Sequence, residues 1–321
     1  MANYTDNLNL KKWDLTNEED LSSSFDIDGT LNDNWDKVDE AVGTNSTNIA
    51  TNKTNIATNA SNIETLQSTV GTGFYSMIAK NARAHNSVYR GEDITDLWYD
   101  GTLSEQIAAG TFDDIFIGDY IIGQSSGLKY LVADINYRLF KGDTECTTPH
   151  VLLIPEKSMG STTMNSTDTT EGAYVGSEMY TTNLETYKEI IIADFESSHI
   201  LTHRNMFSNA ITSNYESGYE WADSTIELMN ELMVHGSNIY HNIAHGSAVP
   251  NNRTIDTSQL ALFKLDKSKI AACDSSGSSR AAYWLRDVVS SASFAFVSND
   301  GGATYHSASG SYGVRPAFLI Y

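Results

Sequence analysis

The chain has 321 residues, with 41 acidic against 20 basic side chains, a formal net charge of -21, 40% hydrophobic residues and 10% aromatic ones. That apolar content suffices for the core of one large or two small domains and excludes a disordered chain. The charge excludes nucleic acid and anionic membrane surfaces as partners, because neutralising phosphates takes clustered Lys and Arg.

No run approaches the roughly 18 apolar residues of a membrane span. The opening MANYTDNLNLKKWDLTNEED lacks the basic and apolar blocks of a signal peptide, so synthesis in a cytoplasm is expected. Residues 1–43 continue with DIDGTLNDNWDKVDEAV, where Leu31, Trp35, Val38 and Val42 recur at helical spacing and Asn32 or Asp33 can cap the start. This predicts a short amphipathic helix. The NLNLKKW strand-like piece and this helix resemble the segments by which phage tail-fibre and baseplate-attached proteins plug into the particle, which implies phage tail or baseplate proteins as partners.

Residues 44–73 are rich in Thr and Asn, yet Ile49, Ile56, Ile63 and Val70 stand seven apart. Taking them as heptad position a puts Asn52, Asn59 and Leu66 at d. Thr and Asn form helices poorly, so any helix here needs partner chains. β-branched a residues with Asn in the seam describe a thin stalk whose polar layers fix register and chain number. An unstructured Asn/Thr linker is the alternative reading. The Asn layers resemble those of trimeric adhesin and phage-fibre stalks, which implies a homotrimer. Gly71 and Gly73 are expected to end the helix.

From Phe74 the composition becomes globular. DDIFIGDYIIG and LKYLVADINYRLF, separated by QSSG, read as a hairpin, and HVLLIPE as a strand ended by Pro155. TNLETYKEIIIADF places Leu184, Tyr187, Ile191 and Phe195 on one helix face. SHILTHRNMFSNAI is mixed. STIELMNELMVHG fits a helix or a buried strand and is read as a strand, bounded by Trp221 and Gly236. Short strands separated by Ser/Gly turns fill the remainder through YWLRDVVSSASFAFVSNDGGATYHSASGSYGVRPAFLIY. The expected class is α+β with a loop-rich β core over residues 74–321.

Several stretches, among them GTFDDIFIGDY, EGAYVGSEMYTTNL, ILTHRNMFSNAITSNY, YWLRDVVSSASFAFV and SYGVRPAFLIY, resemble a group of gut-phage tail-tip proteins with a C-type lectin fold. Their architecture is similar to the major tropism determinant of phages carrying diversity-generating retroelements, in which adenine-containing codons near the 3′ end of the gene are rewritten. The resemblance implies a virion tail-tip protein that adsorbs to a bacterial surface receptor, protein or glycan, through a variable surface on a constant frame.

The residues fit that task independently. YWLR and GVRPAFLIY suit a buried framework, whereas the intervening stretch is made of the small, polar and aromatic types that binding loops use. The candidate receptor-binding set is Asp287, Ser291, Ser293, Phe294, Phe296, Ser298, Asn299, Asp300, Tyr305, His306, Ser307 and Ser309. Plain turns with alternating core Phe are the competing reading, and which Phe faces out is not legible.

Enzyme chemistry is declined. His199 with His203, and His241 with His245, have the i, i+4 spacing of zinc ligands on a helix but no neighbouring Glu base. The lectin fold also resembles formylglycine-generating oxidases, yet Cys273 lacks the second late cysteine of that site, and Cys146 is distant. Both cysteines are expected to be small buried hydrophobes. Acidic pairs for glycan hydrolysis are not identifiable by spacing. Neither Glu-Pro-Asn nor Trp-Asn-Asp calcium signatures occur late in the chain. The expectation is a binder with no cofactor and no metal; a fibre-mounted hydrolase and an invariant fibre spacer are the rivals.

Overall fold

The computed structural model describes residues 3–4, 10–12, 31–79, 82–241, 258–272 and 279–321. The chain divides into two compact units, Met1–Phe74 and Tyr75–Tyr321.

In the first unit β1 (Asn3–Tyr4) pairs antiparallel with β2 (Lys11–Lys12), and helix α1, Asp33–Ala79, begins there and continues past the unit's end at Phe74. At ~1.5 Å per residue its 47 residues extend about 70 Å. The short amphipathic helix and the Thr/Asn stretch are therefore one element, and it passes through Gly71 and Gly73 instead of stopping there. A glycine lacks a Cβ but keeps its N–H and C=O, so it weakens a helix without breaking its hydrogen bonds. The threonines also close their own hydrogen bonds. Thr47, Thr51, Thr54, Thr65 and Thr69 each donate the hydroxyl to the carbonyl four residues back, at 2.8–3.1 Å. What the chain does not satisfy is its apolar seam, since Ile49, Ile56, Ile63, Leu66 and Val70 are all 57–69% exposed. Asn52 and Asn59 are exposed as well.

The second unit is α+β. After short helices α2 (Ala82–His85), α3 (Thr95–Tyr99) and α4 (Thr102–Ala109) come β3 (Tyr120–Ile122) and β4 (Lys129–Ile135), the expected hairpin, with Ile121 opposite Tyr130. β5 (Val151–Pro155) ends at the expected proline. These join β16 (Pro316–Ile320) and β9 (Ile226–Leu228) in an antiparallel sheet of order β3-β4-β5-β16-β9. Every residue of β16 is buried, so GVRPAFLIY is framework. Arg315, 1% exposed, donates to the carbonyls of Pro155 and Ser268 and lies over the rings of Tyr283 and Phe263, which is how a cation is accommodated there.

The expected helix is α5 (Glu185–Phe195), entered through a π-helical turn, Met179–Asn183. Leu184, Ile191 and Phe195 are buried along one side, with Tyr187 partly buried. Asp194 is buried on this helix, where its carboxylate accepts from the Ser125 and Ser126 amides and the Tyr130 hydroxyl. SHILTHRNMFSNAI resolves into a 3-10 turn, Ser197–His199, then β7 (His203–Thr212), which pairs with β8 (Tyr215–Ser224). His199 and His203 thus sit on different elements and do not share a helix face. STIELMNELMVHG is a strand only through Leu228. Asn230 then accepts the Met233 amide and starts α6 (Glu231–His235), which Gly236 closes with φ +80°. Helix α7 (Ala261–Leu265) and the pair β10 (Ala271–Ala272) with β11 (Arg280–Ala281) lead to the second large sheet.

That sheet has the order β14-β13-β12-β15-β6, built from β12 (Tyr283–Val288), β13 (Ser293–Val297), β14 (Ala303–Ser307), β15 (Tyr312–Gly313) and β6 (Ser161–Thr162). Two cores meet at β13. Ala295 and Val297 pack into the larger one, while Phe294 and Phe296 join Trp284, Val288, Tyr174 and Phe207 in the smaller one. Cys146 is only partly buried, its sulfur 3.7 Å from the Thr148 carbonyl. Cys273 and His245 lie outside the described residues, as does most of the 1–43 segment. Among the described residues no helix is long and apolar enough to cross a membrane.

Candidate functional site

The alternation of β13 separates core from core, not core from solvent. Phe294 is fully buried and Phe296 is 8% exposed, so neither offers its ring to solvent. Ser293, 9% exposed, and Asp287, 5% exposed, are buried too. These four expected contact residues are corrected to framework. A period-2 pattern reports two faces without saying what covers each.

The remaining candidates lie on the edge strand β14 and in the turns at its two ends. Among the described residues β14 pairs only with β13, setting His306 opposite Phe294 and Tyr305 opposite Ala295, so this edge strand presents exposed Tyr305 on one face and exposed His306 on the other, with half-buried Ser307 beside them. The turn feeding it, Ser298–Gly302, is closed by Ser298 N–H to the Gly302 carbonyl at 2.8 Å. Gly301 takes φ +84°, and a Cβ there would come within 3.0 Å of Ile270. Asp300 accepts from the Ser298 hydroxyl and the Gly302 amide, which lower its pKa. Asn299 is exposed at the tip. A shallow recess of about 480 Å3 lies beside this turn, between Asp300–Gly302 and Asp266, Lys267, Lys269 and Ile270.

The flanking serines are tied to the scaffold. Ser291 N–H donates to Asn214 Oδ1 at 3.0 Å, and Ser309 N–H to Asp168 Oδ1 at 3.1 Å. The His306 ring meets Tyr312 edge-on at 4.8 Å, and Tyr312 stacks on the buried Phe296 at 4.8 Å. Exposed groups therefore rest on a packed aromatic stem. Tyr305 meets Tyr240 at 5.1 Å and 64°.

Tyr240 was not expected, and neither was what holds it. Glu231, fully buried at the start of α6, accepts the backbone N–H groups of Ile239, Tyr240 and His241 at 2.8–3.1 Å. Its own amide donates to Asp287 Oδ2 at 2.6 Å. The His241 ring sits between two carboxylates, Nε2 at 2.7 Å from Glu216 Oε2 and Nδ1 at 3.3 Å from Asp287 Oδ1. At this separation the Nε2 contact with Glu216 is a close ion pair when the ring is protonated. Burial opposes charge on the imidazole, but Glu216 and Asp287 outweigh it and raise its pKa to about 9. Burial raises Asp287 to about 7 against the pull of His241. Glu216 is lowered: burial acts against ionisation, but His241 and the Val288 amide prevail. The cluster joins β8, α6, β12 and the 239–241 segment, four pieces remote in sequence. No spacing rule could assemble it, and His241 stood out only for its distance from His245.

The cluster's side chains are buried or nearly so and contact one another, tying the 239–241 segment to β8, α6 and β12. Among the described residues no group of three or more His, Cys, Asp or Glu is placed to hold a metal ion.

Residues 239–321 match a family described as a domain of unknown function (DUF6273). No curated protein and no solved structure matches the chain. The matched segment covers a minority of the chain, opens at the residues clamped by Glu231 and contains both Tyr240 and Tyr305.

Proposed function

We propose that the protein is a tail-tip receptor-binding protein of a phage or prophage, attached to the particle by residues 1–43. Its stalk carries a C-type lectin-like head, and it adsorbs to a bacterial surface molecule by binding, without catalysis. The observation that carries this reading is the exposed edge of β14. Tyr305 and His306, with the Ser298–Asp300 turn, Ser291, Ser307 and Ser309, present aromatic and small polar groups on a fully packed frame, the composition that adaptable binding surfaces use. The helix supports assembly as a homotrimer. Its apolar residues fall on a strict heptad and remain exposed in one chain, and β-branched a positions with Asn at d need partner chains to be buried. Three weak sites on one stalk would raise avidity by roughly 10² if receptors are spaced to match.

The test is saturable adsorption of the labelled full-length protein to a panel of bacterial cells, with released reducing ends assayed in the same tubes. Saturable binding to particular strains without sugar release supports a receptor binder. Sugar release points to the hydrolase, and adsorption to no strain points to a structural fibre component.

A further inference from the structure

We propose that Tyr240 and Tyr305 form a two-walled aromatic corner for a quaternary ammonium group, the choline type, with Tyr240 held in place and given a negative background by the carboxylate cluster behind it. The inference rests on the proposed binding role of the β14 edge and names the chemistry recognised there.

Geometry comes first. The two rings stand 5.1 Å apart at 64°, so their faces form a bent surface instead of a closed stack. Tyr240 is 37% and Tyr305 49% exposed, whereas most aromatic side chains of this unit are packed inside. Tyrosine faces carry the negative end of a quadrupole and attract a cation laid over them.

Charge selects the guest. Tyr240's own N–H is bonded to both oxygens of Glu231, and Glu216 and Asp287 lie beyond it around His241. Two carboxylates face the imidazole and Glu231 holds the backbone beside it, so three acids outnumber the one imidazolium and the balance of charge behind the corner is negative in a poorly screened interior. The chain as a whole, at -21, attracts cations over longer range. A primary ammonium donates three hydrogen bonds and loses them against ring faces, which offer no oxygen acceptor along their normals. A tetraalkylammonium donates none, spreads its charge over methyl groups, and fits ring faces without an unsatisfied donor. Uncharged sugars gain nothing from the carboxylates.

The experiment uses the full-length protein at 0.15 M salt. Choline, ethanolamine and N-acetylglucosamine are titrated separately, with tyrosine fluorescence and calorimetry as readouts. Expected are saturable choline binding, ethanolamine binding weaker by about tenfold, no response to the sugar, and loss of choline affinity by about tenfold in both Tyr240→Ala and Tyr305→Ala. Tyr240→Phe, which keeps the ring, retains binding, and Glu231→Gln weakens it several-fold by removing charge behind the ring. Absence of saturable choline binding, equal response to ethanolamine or sugar, or an unaffected Tyr240→Ala protein of unchanged melting temperature overturns the proposal. Adsorption to cells that choline does not displace overturns it while leaving the receptor-binding reading intact. Choline binding by a protein that adsorbs to no cell overturns that reading and upholds the corner.

Discussion

Replacing His241 by Gln should change the pH dependence of stability as well as its level. The imidazole titrates at about 9 in the folded protein against 6.5 in a free chain. Between those values the folded state holds a proton that the unfolded state has released, so stability falls with rising pH by up to ~1.4 kcal/mol per unit. The contribution is complete below pH 6.5 and gone above about 9, for a total of ~3 kcal/mol. Asp287 also binds its proton more tightly when folded, up to about pH 7, so it destabilises in the same direction but over the acidic window. Glu216, lowered on folding, acts oppositely and loses its contribution as pH falls. Above about pH 7.5 little of the Asp287 contribution remains to be lost, which leaves His241 to dominate the wild-type slope. Urea unfolding of wild type and His241→Gln from about pH 7.5 to 9.5 reads the difference. Wild type should lose about 2 kcal/mol across that range, and the variant should start ~3 kcal/mol lower, with two buried carboxylates left without a cation, and fall less steeply, its remaining slope coming from Asp287, whose pKa rises once the imidazolium is gone. Parallel pH profiles for the two proteins would refute the reasoning.

The corrected placement of the aromatic residues separates two variants that sequence alone would treat alike. Phe296→Ala should cost about 3–5 kcal/mol by emptying the core beneath Tyr312, while Tyr305→Ala should stay within about 0.5 kcal/mol, as thermal unfolding would show. Under the proposed assembly, the double substitution Ile56→Lys and Ile63→Lys places charge in the helix's heptad stripe and should lower the mass by light scattering from a trimer to a single chain, with the near-ultraviolet spectrum of residues 75–321 preserved. Asp194→Ala should cost about 3 kcal/mol, because the Ser125 and Ser126 amides and the Tyr130 hydroxyl lose their common acceptor. If the gene is diversified, amplicon sequencing across its source population should find substitutions at codons for Ser291, Ser298–Asp300, Tyr305–Ser307 and Ser309. Codons for Phe294, Phe296 and Pro316–Ile320 should stay fixed, since those side chains fill the cores.

Local patterns were legible where one chain segment decides its own structure. The β3–β4 hairpin, the strand stopped by Pro155 and the helix carrying Leu184, Ile191 and Phe195 follow from turn chemistry and periodicity. The STIELMNELMVHG segment was half legible, because the Asn230 cap that splits strand from helix also fits a strand-ending turn. Burial of Phe294 and Phe296 was not legible, since it depends on a second core supplied by Tyr174, Phe207 and Trp284. The Glu216, Glu231, His241 and Asp287 cluster was invisible for the same reason, as each member gains its role only from long-range contacts. The heptad of α1 shows the opposite case, in which the sequence carries a pattern that one chain cannot satisfy.

The central claim is that the outer edge of β14 binds a bacterial surface. Adsorption of the full-length protein carrying Tyr305→Ala and His306→Ala, measured beside wild type on the strain that wild type binds best, tests it most directly. The account predicts at least about a tenfold loss of adsorption at an unchanged melting temperature, because two exposed contacts are removed from each of several linked sites. Equal adsorption by the two proteins would place the binding surface elsewhere and contradict the account.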